Sequence, residues 1–219
     1  MPLDELRALL ERHVRRGVAT AIDGVRVCSF DQGVPQEPAM SGTVLAVIAQ
    51  GRKRLALGDN VYEYGAGQYL ISSIDLPLTG HFLEAEPDGP GLGIGMTLDP
   101  ALIAELLQQA GPGELPSSAA TARPGIAVSD ASGELLDALV RLVRLLDRPR
   151  DRKALVPLVK REILWRLMTG EQGDTVRQLG LPDSGLSHIA HAVRWIRANY
   201  TRPFRVEELA HLSGMSVSA

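Results

Sequence analysis

The segment QGRKRLALGDNVYEYGAGQYLISS, residues 50–73, contains the pattern that decides the fold. Short β-branched and apolar runs alternate with turn signals, and Gly51-Arg52 and Gly58-Asp59-Asn60 are typical of tight hairpins. The same texture extends over residues 20–98 without a helix-length segment, which favours a small antiparallel sandwich or barrel over a parallel α/β sheet. The predicted strands are residues 25–30, 44–50, 53–57, 61–64, 69–72, 81–85 and 92–98.

Apolar residues at helical spacing dominate the chain outside this region. Residues 3–15 predict a short amphipathic helix, and Asp99-Pro100 predicts the start of another that runs to about Ala110. Ser132–Asp147 has a wide leucine-rich stripe and is followed by a helical pattern over 151–168, so the two predict a helical hairpin. Part of the stripe in Leu135–Leu146 would remain to pack on another subunit.

Composition is typical of a globular protein with an ordinary core. Of the 219 residues, 45% are hydrophobic and 22% are charged, with a net charge of −3. The longest uncharged apolar run, residues 43–49, is too short for a membrane span, and the N-terminus lacks the apolar stretch of a signal peptide. The single cysteine, Cys28, excludes an internal disulfide, and its alternating surroundings favour a core thiol over a reactive one. These features predict a cytoplasmic location.

A turn between two short helices is predicted near the end of the chain. Glu207-Glu208-Leu209-Ala210 followed by Ser213-Gly214-Met215-Ser216 has the layout of the opening of a helix-turn-helix unit. In this layout Ala210 is the small residue that lets two helices approach, and Gly214 takes the turn.

Together with WIRANYTRPFRVEELA (195–210), this segment resembles the start of the DNA-binding domain of AraC-type transcription regulators. The rest of the chain resembles the N-terminal sensor family of the same regulators, in residues 50–80, in TLDPALIAELL (97–107) and in KREILWRLMTGEQG (160–173). The resemblance implies an α+β chain, with a cupin-like antiparallel β-barrel followed by an α-helical hairpin and a truncated helix-turn-helix domain. It also implies regulation by a small-molecule effector.

The chain is predicted to contain four parts. Residues 1–130 would form the effector-sensing barrel, 131–170 a hairpin that makes a homodimer, 171–185 a linker, and 186–219 an incomplete DNA-binding domain. The Gly-rich and polar composition of 171–185 predicts at most a short turn of helix there.

DNA contacts are expected from the C-terminal part, where arginines outnumber acidic residues. The sequence ends about where the first recognition helix should begin, and such a helix supplies the base-edge contacts. We therefore expect sequence-specific DNA binding of the full-length protein only. The candidate DNA-binding residues are Arg202, Arg205, Ser216 and Ser218.

The scarce aromatic residues cluster in the strand region, where a small barrel has room for one ligand. Tyrosine offers a ligand an apolar ring and a polar hydroxyl, although the same rings could simply fill the core. The candidate effector-binding residues are Lys53, Tyr62, Tyr64, Tyr69, His81 and Met96.

The residues argue against an enzyme, a metal or a cofactor. A metal-dependent cupin needs several histidines in its barrel, and His81 is the only histidine of five in the strand region. Gly91-Leu-Gly93-Ile-Gly95 lacks the spacing of a dinucleotide-binding loop. The alternative is a metal-free cupin that binds a small molecule and has no DNA role, with 186–219 as a helical appendage. The turn at Gly214-Met215-Ser216 favours the regulator.

Overall fold

The structure is a computed structural model that describes residues 1–14, 20–30, 39–40, 42–83, 89–117, 125–182 and 184–216. The strands are β1 (Val25–Phe30), β2 (Ala39–Met40), β3 (Val44–Gln50), β4 (Arg52–Leu57), β5 (Asn60–Gly65), β6 (Gln68–Ser72), β7 (Pro77–Leu83), β8 (Gly91–Thr97) and β9 (Ile126–Asp130). The helices are α1 (Pro2–Val14), α2 (Pro100–Gln109), α3 (Gly133–Arg144), α4 (Pro149–Thr169), α5 (Gly173–Leu179), α6 (Gly185–Asn199) and α7 (Val206–Leu212).

Two antiparallel sheets face each other, and we call this pair of sheets the barrel. One has the strand order β1-β8-β3-β6-β9, and the other has the order β2-β7-β4-β5. Their facing surfaces enclose an apolar cluster. Its buried members are Ile48, Leu55, Tyr64, Leu70, Leu78 and Ile126. The predicted α+β fold with an antiparallel barrel and a helical hairpin is therefore confirmed.

The helices cover the outer surface of the five-stranded sheet. In β3, Leu45 and Val47 belong to the cluster beneath α1, α3 and α4, while Ile48 belongs to the cluster inside the barrel. Successive side chains of a strand point to opposite faces, so a strand buried on both faces divides its residues between two cores. This sheet is thus the middle layer of the molecule.

Side chains cap the starts of α2 and α3, and the first of these is the start predicted at Asp99-Pro100. Asp99 accepts a hydrogen bond from the backbone N–H of Ala101, with Pro100 in the first turn of α2. Ser132 accepts one from the N–H of Leu135 at the start of α3. A 3₁₀ turn, Leu145–Asp147, then leads to α4, which begins at Pro149.

The leucines of α3 lie inside the subunit rather than on its surface. Leu135, Leu139 and Leu142 are buried in the cluster formed by the sheet and helices. Burial of a leucine contributes roughly 1.5–3 kcal/mol, so exposing this stripe to a partner would destabilise the subunit. The exposed leucines of the hairpin are on α4 instead, at Leu155 and Leu158. The leucine stripe expected to make a homodimer is therefore buried within the subunit.

Strand β9 lies in a stretch that the sequence left without a predicted strand. It pairs with β6 at the edge of the five-stranded sheet, with Ser129 opposite Tyr69. The strand has five residues and follows a region rich in Gly, Pro, Ser and Ala, so its alternation is too short to detect locally.

The segment 171–185 is a packed element, in contrast to the expected linker. It contains α5, in which Asp174 and Arg177 form an ion pair and are both buried. Arg177 also donates a hydrogen bond to the carbonyl oxygen of Met168 at the end of α4. The charged residues that made the segment resemble a linker satisfy each other in the interior.

Two glycines let α5 approach its neighbours closely. A Cβ on Gly173 would collide with the carbonyl oxygen of Met168 in α4. A Cβ on Gly180, directly after α5, would lie 2.7 Å from the backbone nitrogen of Ala104 and 2.8 Å from Cγ2 of Ile103 in α2. Backbone-to-backbone contact of this kind fixes α5 against the sensor half of the chain.

Gly180→Ala should destabilise the protein, because its new methyl group overlaps the backbone of α2. Gly180 has φ of −85°, so no backbone strain contributes, and overpacking typically costs about 1–3 kcal/mol. Urea denaturation measures the loss. Gly185→Ala is the matched control, because a Cβ there meets nothing within 4 Å. Equal stability of the two variants would contradict the tight docking of α5.

No helix among the described residues is long and apolar enough to cross a membrane.

Candidate functional site

The inner face of the four-stranded sheet presents a polar row inside the barrel. Lys53 lies opposite Tyr64 in the β4–β5 register, and Leu55 lies opposite Tyr62. Tyr64 is 2% exposed and belongs, with Leu55, to the cluster inside the barrel, against which Tyr62 also packs. Residues opposite each other in an antiparallel pair point to the same side, so Lys53 faces inward as well.

The residues between them point outward, as alternation requires. Arg54 and Glu63 are opposite each other, and their side chains form an ion pair with a distance of 2.5 Å between Nη2 and Oε1. Tyr62 and Tyr64 therefore lie on the inner face of β5, and Glu63 lies on its outer face.

The facing wall of the barrel contains two glycines among its apolar side chains. In the five-stranded sheet, Gly93 lies between Cys28 and Ile48, and Gly95 lies between Arg26 and Ala46. Ile48 and Ala46 face the barrel interior, so the two glycines do too. A Cβ on Gly95 would meet no atom closer than 3.9 Å. Gly95 thus leaves space on the inner surface of β8, whereas a Cβ on Gly93 would lie 3.1 Å from the carbonyl oxygen of Val47.

Charged and polar side chains of the two facing sheets influence each other's pKa values. Burial raises the pKa of the Cys28 thiol, and the positive charges of Lys53 and Arg26 partly oppose the rise. Burial lowers the pKa of the Lys53 ammonium, which Cys28 opposes in turn. Burial also raises the pKa of the Tyr64 hydroxyl, to which Cys28 contributes. A half-buried cation beside apolar groups gains when an anion or a strong acceptor binds next to it.

The structure brings together Lys53, Tyr62 and Tyr64 of the six predicted effector-binding residues. Tyr69 and Met96 lie on the other face of the five-stranded sheet, in the cluster beneath the helices. His81 is opposite Arg54 in the β4–β7 register and therefore shares its outward face.

Tyr69 belongs to a buried polar contact between the barrel and α5. Burial raises the pKa of its hydroxyl, and hydrogen bonds with the Ser129 side chain and the Gln172 backbone oppose the rise. Gln172 Nε2 donates to Ser129 Oγ at 3.0 Å, directly before α5 begins. No local sequence pattern indicates this contact, because its residues come from β6, β9 and the segment that was expected to be a linker.

A cavity lies between one end of the barrel and α6. Its volume is about 330 Å³. It lies where β3 begins and β6 ends, and the start of α2 and the end of α5 complete its walls. Its lining residues are Thr43, Ser73, Asp75, Pro100, Leu179, Leu186, Ser187, Ala190 and Arg194. We call this cavity the α6 cleft.

An ion pair closes the α6 cleft on one side. Arg197 of α6 pairs with Asp75, which lies between β6 and β7. Asp75 also accepts a hydrogen bond of 2.8 Å from the backbone N–H of Gly42. The two partners are 122 residues apart in the sequence, so no local pattern could reveal them.

The predicted helix-turn-helix opening has the expected local geometry. Gly214 has φ of +69°, and the backbone N–H of Met215 donates to the carbonyl oxygen of Ala210 at 2.8 Å. Arg202 and Arg205 are exposed, and Arg205 Nε lies 3.9 Å from Glu207. Ser216 is exposed and follows the turn, whereas Ser218 lies outside the described residues.

Among the residues that the structure describes, no group of three His, Cys, Asp or Glu side chains is placed to hold a metal ion.

This chain belongs to the family described as the N-terminus of AraC-type transcriptional regulators. The sequence profile of that family matches residues 21–175, which is most of the chain. The matched region contains the barrel, the hairpin and the start of α5. The class suggested by the sequence resemblance is therefore confirmed. No curated protein matches the chain significantly.

Solved structures of AraC-like regulators are similar to this chain. An apo variant of ToxT from Vibrio cholerae aligns with a TM-score of 0.56 and 8% identity, over 90% of this chain and 73% of ToxT. ToxT bound to an unsaturated fatty acid aligns at 0.45 and 11%, over 89% and 87%. The AraC-like transcriptional activator CuxR aligns at 0.36 and 16%, over 89% and 78%. The first alignment shows a shared fold.

Removing the Asp75–Arg197 ion pair should loosen α6. We expect Asp75→Asn and Arg197→Gln each to raise hydrogen exchange of the α6 amides about two- to fivefold, since partly exposed pairs contribute up to about 1 kcal/mol. Asparagine retains an acceptor for the Gly42 N–H. The double variant should exchange no faster than the single variants, because both remove one interaction.

Arg202→Gln is the control for this experiment, since Arg202 is exposed and makes no ion pair among the described residues. The ion pair would have no restraining role if all variants exchanged at the wild-type rate, or if the effects of the single variants were additive.

Proposed function

We propose that this chain senses a small-molecule effector inside its barrel and passes the signal to a DNA-binding segment that begins with α6 and α7. The observation that carries the proposal is the inward row of Lys53, Tyr62 and Tyr64, which faces the sheet that contains Gly93 and Gly95. Membership of the AraC-type regulator family supports the regulatory part.

The barrel interior beside Lys53, Tyr62 and Tyr64 is called the chamber below. Its chemistry favours an effector with an anionic group and an aromatic or otherwise flat body. Lys53 supplies an ammonium group in surroundings that lower its pKa, and a bound anion would favour the charged form of that group. Tyr62 and Tyr64 supply rings on the same face. A metabolite with a carboxylate on an aromatic ring meets both requirements.

The route from the barrel to α6 is proposed to pass through α5. In β6 and β9, Leu70 and Val128 face the interior, while their neighbours Tyr69 and Ser129 face the helices. A shift of either strand on effector binding would move the partners of Gln172, directly before α5. Allostery requires two states with different effector affinity, and the placement of α5 is the element that would differ.

At the other end of the route, we propose that Arg202 and Arg205 contact DNA phosphates. We propose that Ser216 and Ser218 contact DNA from the helix that follows the turn. Phosphate contacts fix position, and a recognition helix reads the bases. We propose a regulatory rather than catalytic role, carried out in the cytoplasm.

Dimerisation is proposed to use the exposed face of α4. Leu155 and Leu158 are 41% and 61% exposed and border a groove of about 320 Å³ between α3 and α4. Three arginines line this groove, and two of them are paired within the subunit, Arg141 with Glu162 and Arg144 with Glu5. The charges of these two are compensated, so Arg148 is the arginine whose charge two copies would have to accommodate on this surface.

Leu158→Glu should convert a dimer into a monomer without unfolding it, because the substitution places a charge on an exposed apolar face. Sedimentation measures the mass, and circular dichroism checks the fold. Leu181→Glu, at a leucine that is 48% exposed and lies directly after α5, is the control and should remain dimeric. A wild-type monomer at high concentration, or a dimeric Leu158→Glu, would remove this surface.

Lys53→Met should abolish stabilisation by an aromatic monocarboxylate. A ligand at 100 times its Kd stabilises by about 2.7 kcal/mol, or roughly 5–10 °C in Tm for a chain of this size. Thermal-shift screening with benzoate, phenylacetate, salicylate and related acids measures the rise. Arg54→Met is the matched control, because Arg54 is the next residue on the outward face.

The chamber proposal predicts that at least one acid stabilises the wild type and Arg54→Met but not Lys53→Met. Stabilisation that survives in Lys53→Met, or a panel with no active member, would count against it.

A further inference from the structure

We propose that His188 is a positioning residue for DNA recognition. From the first turn of α6 it holds the peptide group between Gly214 and Met215, and so sets the direction in which the chain leaves the turn of the helix-turn-helix unit. The inference rests on the proposed DNA-binding role of the segment that begins with α6 and α7. The restraint on the turn is a property of the chain alone and can be measured without DNA.

The peptide group between Gly214 and Met215 has a partner at each of its polar atoms. The carbonyl oxygen of Gly214 lies 3.1 Å from Nδ1 of His188 in α6. The N–H of Met215 donates to the carbonyl oxygen of Ala210 in α7 at 2.8 Å. A peptide group is planar, so partners on both its oxygen and its nitrogen fix its orientation. The helices α6 and α7 thus act on the same peptide group of the turn.

The contact with Gly214 determines where the proton of the His188 ring lies. A carbonyl oxygen only accepts hydrogen bonds, and a neutral imidazole has one N–H and one bare nitrogen. A bare Nδ1 would place two acceptors 3.1 Å apart, which is repulsive. The geometry therefore requires a proton on Nδ1, either in the Nδ1–H tautomer or in the imidazolium form. Both forms donate to the same oxygen, so the contact does not depend on the charge of the ring.

The ring reaches this oxygen because Gly214 has no side chain. A Cβ there would lie 3.1 Å from both Cε1 and Nδ1 of His188, which is tighter than a carbon atom ordinarily packs. Gly214 also has φ of +69°, a conformation that glycine adopts readily. The same freedom would let the following helix point in several directions unless another group restrains the turn. His188 supplies that restraint.

The face of α6 that carries His188 contacts the chain before α7 as well as after it. Trp195 follows His188 by two helical turns and therefore lies on the same face. Its ring packs edge-to-face against Phe204, with 5.3 Å between the ring centroids and 83° between the planes. Phe204 precedes α7 and Gly214 follows it. The helix α7 is therefore attached to α6 at both ends, by an aromatic contact and by a hydrogen bond.

The direction of the chain after the turn is what DNA recognition requires. In a helix-turn-helix unit the second helix enters the major groove, where its side chains meet the donors and acceptors of the base edges. Hydrogen bonds weaken steeply when their angle departs from linearity, so a recognition helix without a fixed direction would read a site poorly. His188 would act through the turn rather than by touching DNA itself.

Two substitutions at His188 separate its hydrogen bond from its bulk. In His188→Asn the side-chain amide N–H occupies about the place of the Nδ1–H, whereas His188→Leu fills space without a donor. Hydrogen exchange of the Met215 amide, measured by NMR on the full chain without DNA, reports how often the peptide group opens. We expect His188→Leu to speed this exchange about three- to tenfold, as for the loss of one ordinary hydrogen bond, and His188→Asn to restore most of the protection.

The ring of His188 gives a direct spectroscopic readout. At about pH 8.5 an ordinary imidazole is neutral, and its nitrogen NMR shifts distinguish a protonated nitrogen from a bare one. We expect a protonated Nδ1 on His188 in the wild type at this pH. A bare Nδ1 would overturn the inference.

Two controls separate the restraint on the turn from general loosening. The Ser213 amide donates to Leu209 and Ala210, and it should exchange at the wild-type rate in both variants. His191→Leu makes the same change at an exposed histidine of α6 and should leave the Met215 amide unaffected. If His188→Leu loses its fold by circular dichroism, His188→Asn and the wild-type ring provide the readout.

The possible outcomes distinguish positioning from packing. Faster exchange of Ser213 and Met215 together, or protection that survives in His188→Leu but not in His188→Asn, would show that His188 only packs α6 on α7 and would overturn the inference. Unchanged exchange of Met215 in every variant would overturn it too. If the expected pattern appears in a chain with no affinity for duplex DNA even at low salt, the proposed DNA contacts fail, while the restraint on the turn stands.

Discussion

The close docking of α5 is the contact on which the rest of this structure depends. Gly173 and Gly180 allow its backbone to touch α4 and α2, and the buried ion pair of Asp174 and Arg177 removes the charge that would otherwise draw the segment into solvent. Losing one partner of such a buried pair typically costs about 3–5 kcal/mol. Because α5 is held this firmly, α6 begins at a defined place beside the barrel, and both the α6 cleft and the Asp75–Arg197 ion pair follow from that placement.

The two sides of the five-stranded sheet differ in their surroundings. One side packs apolar residues beneath the helices, which stabilises the fold. The other side has space at Gly95 and has Lys53 across from it, in surroundings that lower its pKa. Neither feature improves packing. Residues with shifted pKa values are more frequent at functional sites, which supports the proposal that the effector binds on this side.

The sequence predicted the elements better than the site, for identifiable reasons. The residues of β1, β3 and α7 were predicted with their observed bounds, and Tyr62 and Tyr64 were correctly placed together, because periodicity is local information. Tyr69 and Met96 show the limit of this local information. Alternation assigns residues to two faces of a strand, but both faces of this sheet are buried. The pattern therefore does not tell which of the two faces points into the barrel. The helix α5 and the pairing of Asp75 with Arg197 were missed, since their charges are compensated only by the tertiary structure.

Hydrogen exchange of the backbone amides from Val176 to Gly180 tests most directly whether α5 belongs to the sensor rather than to a linker. These amides donate within α5 and at its end, and tight docking ties their opening to that of the core. The account predicts that they exchange as slowly as the buried amides of α3, with the same dependence on urea. Exchange at the rate of an exposed segment, independent of urea, would contradict it and would leave the barrel with no firm connection to α6.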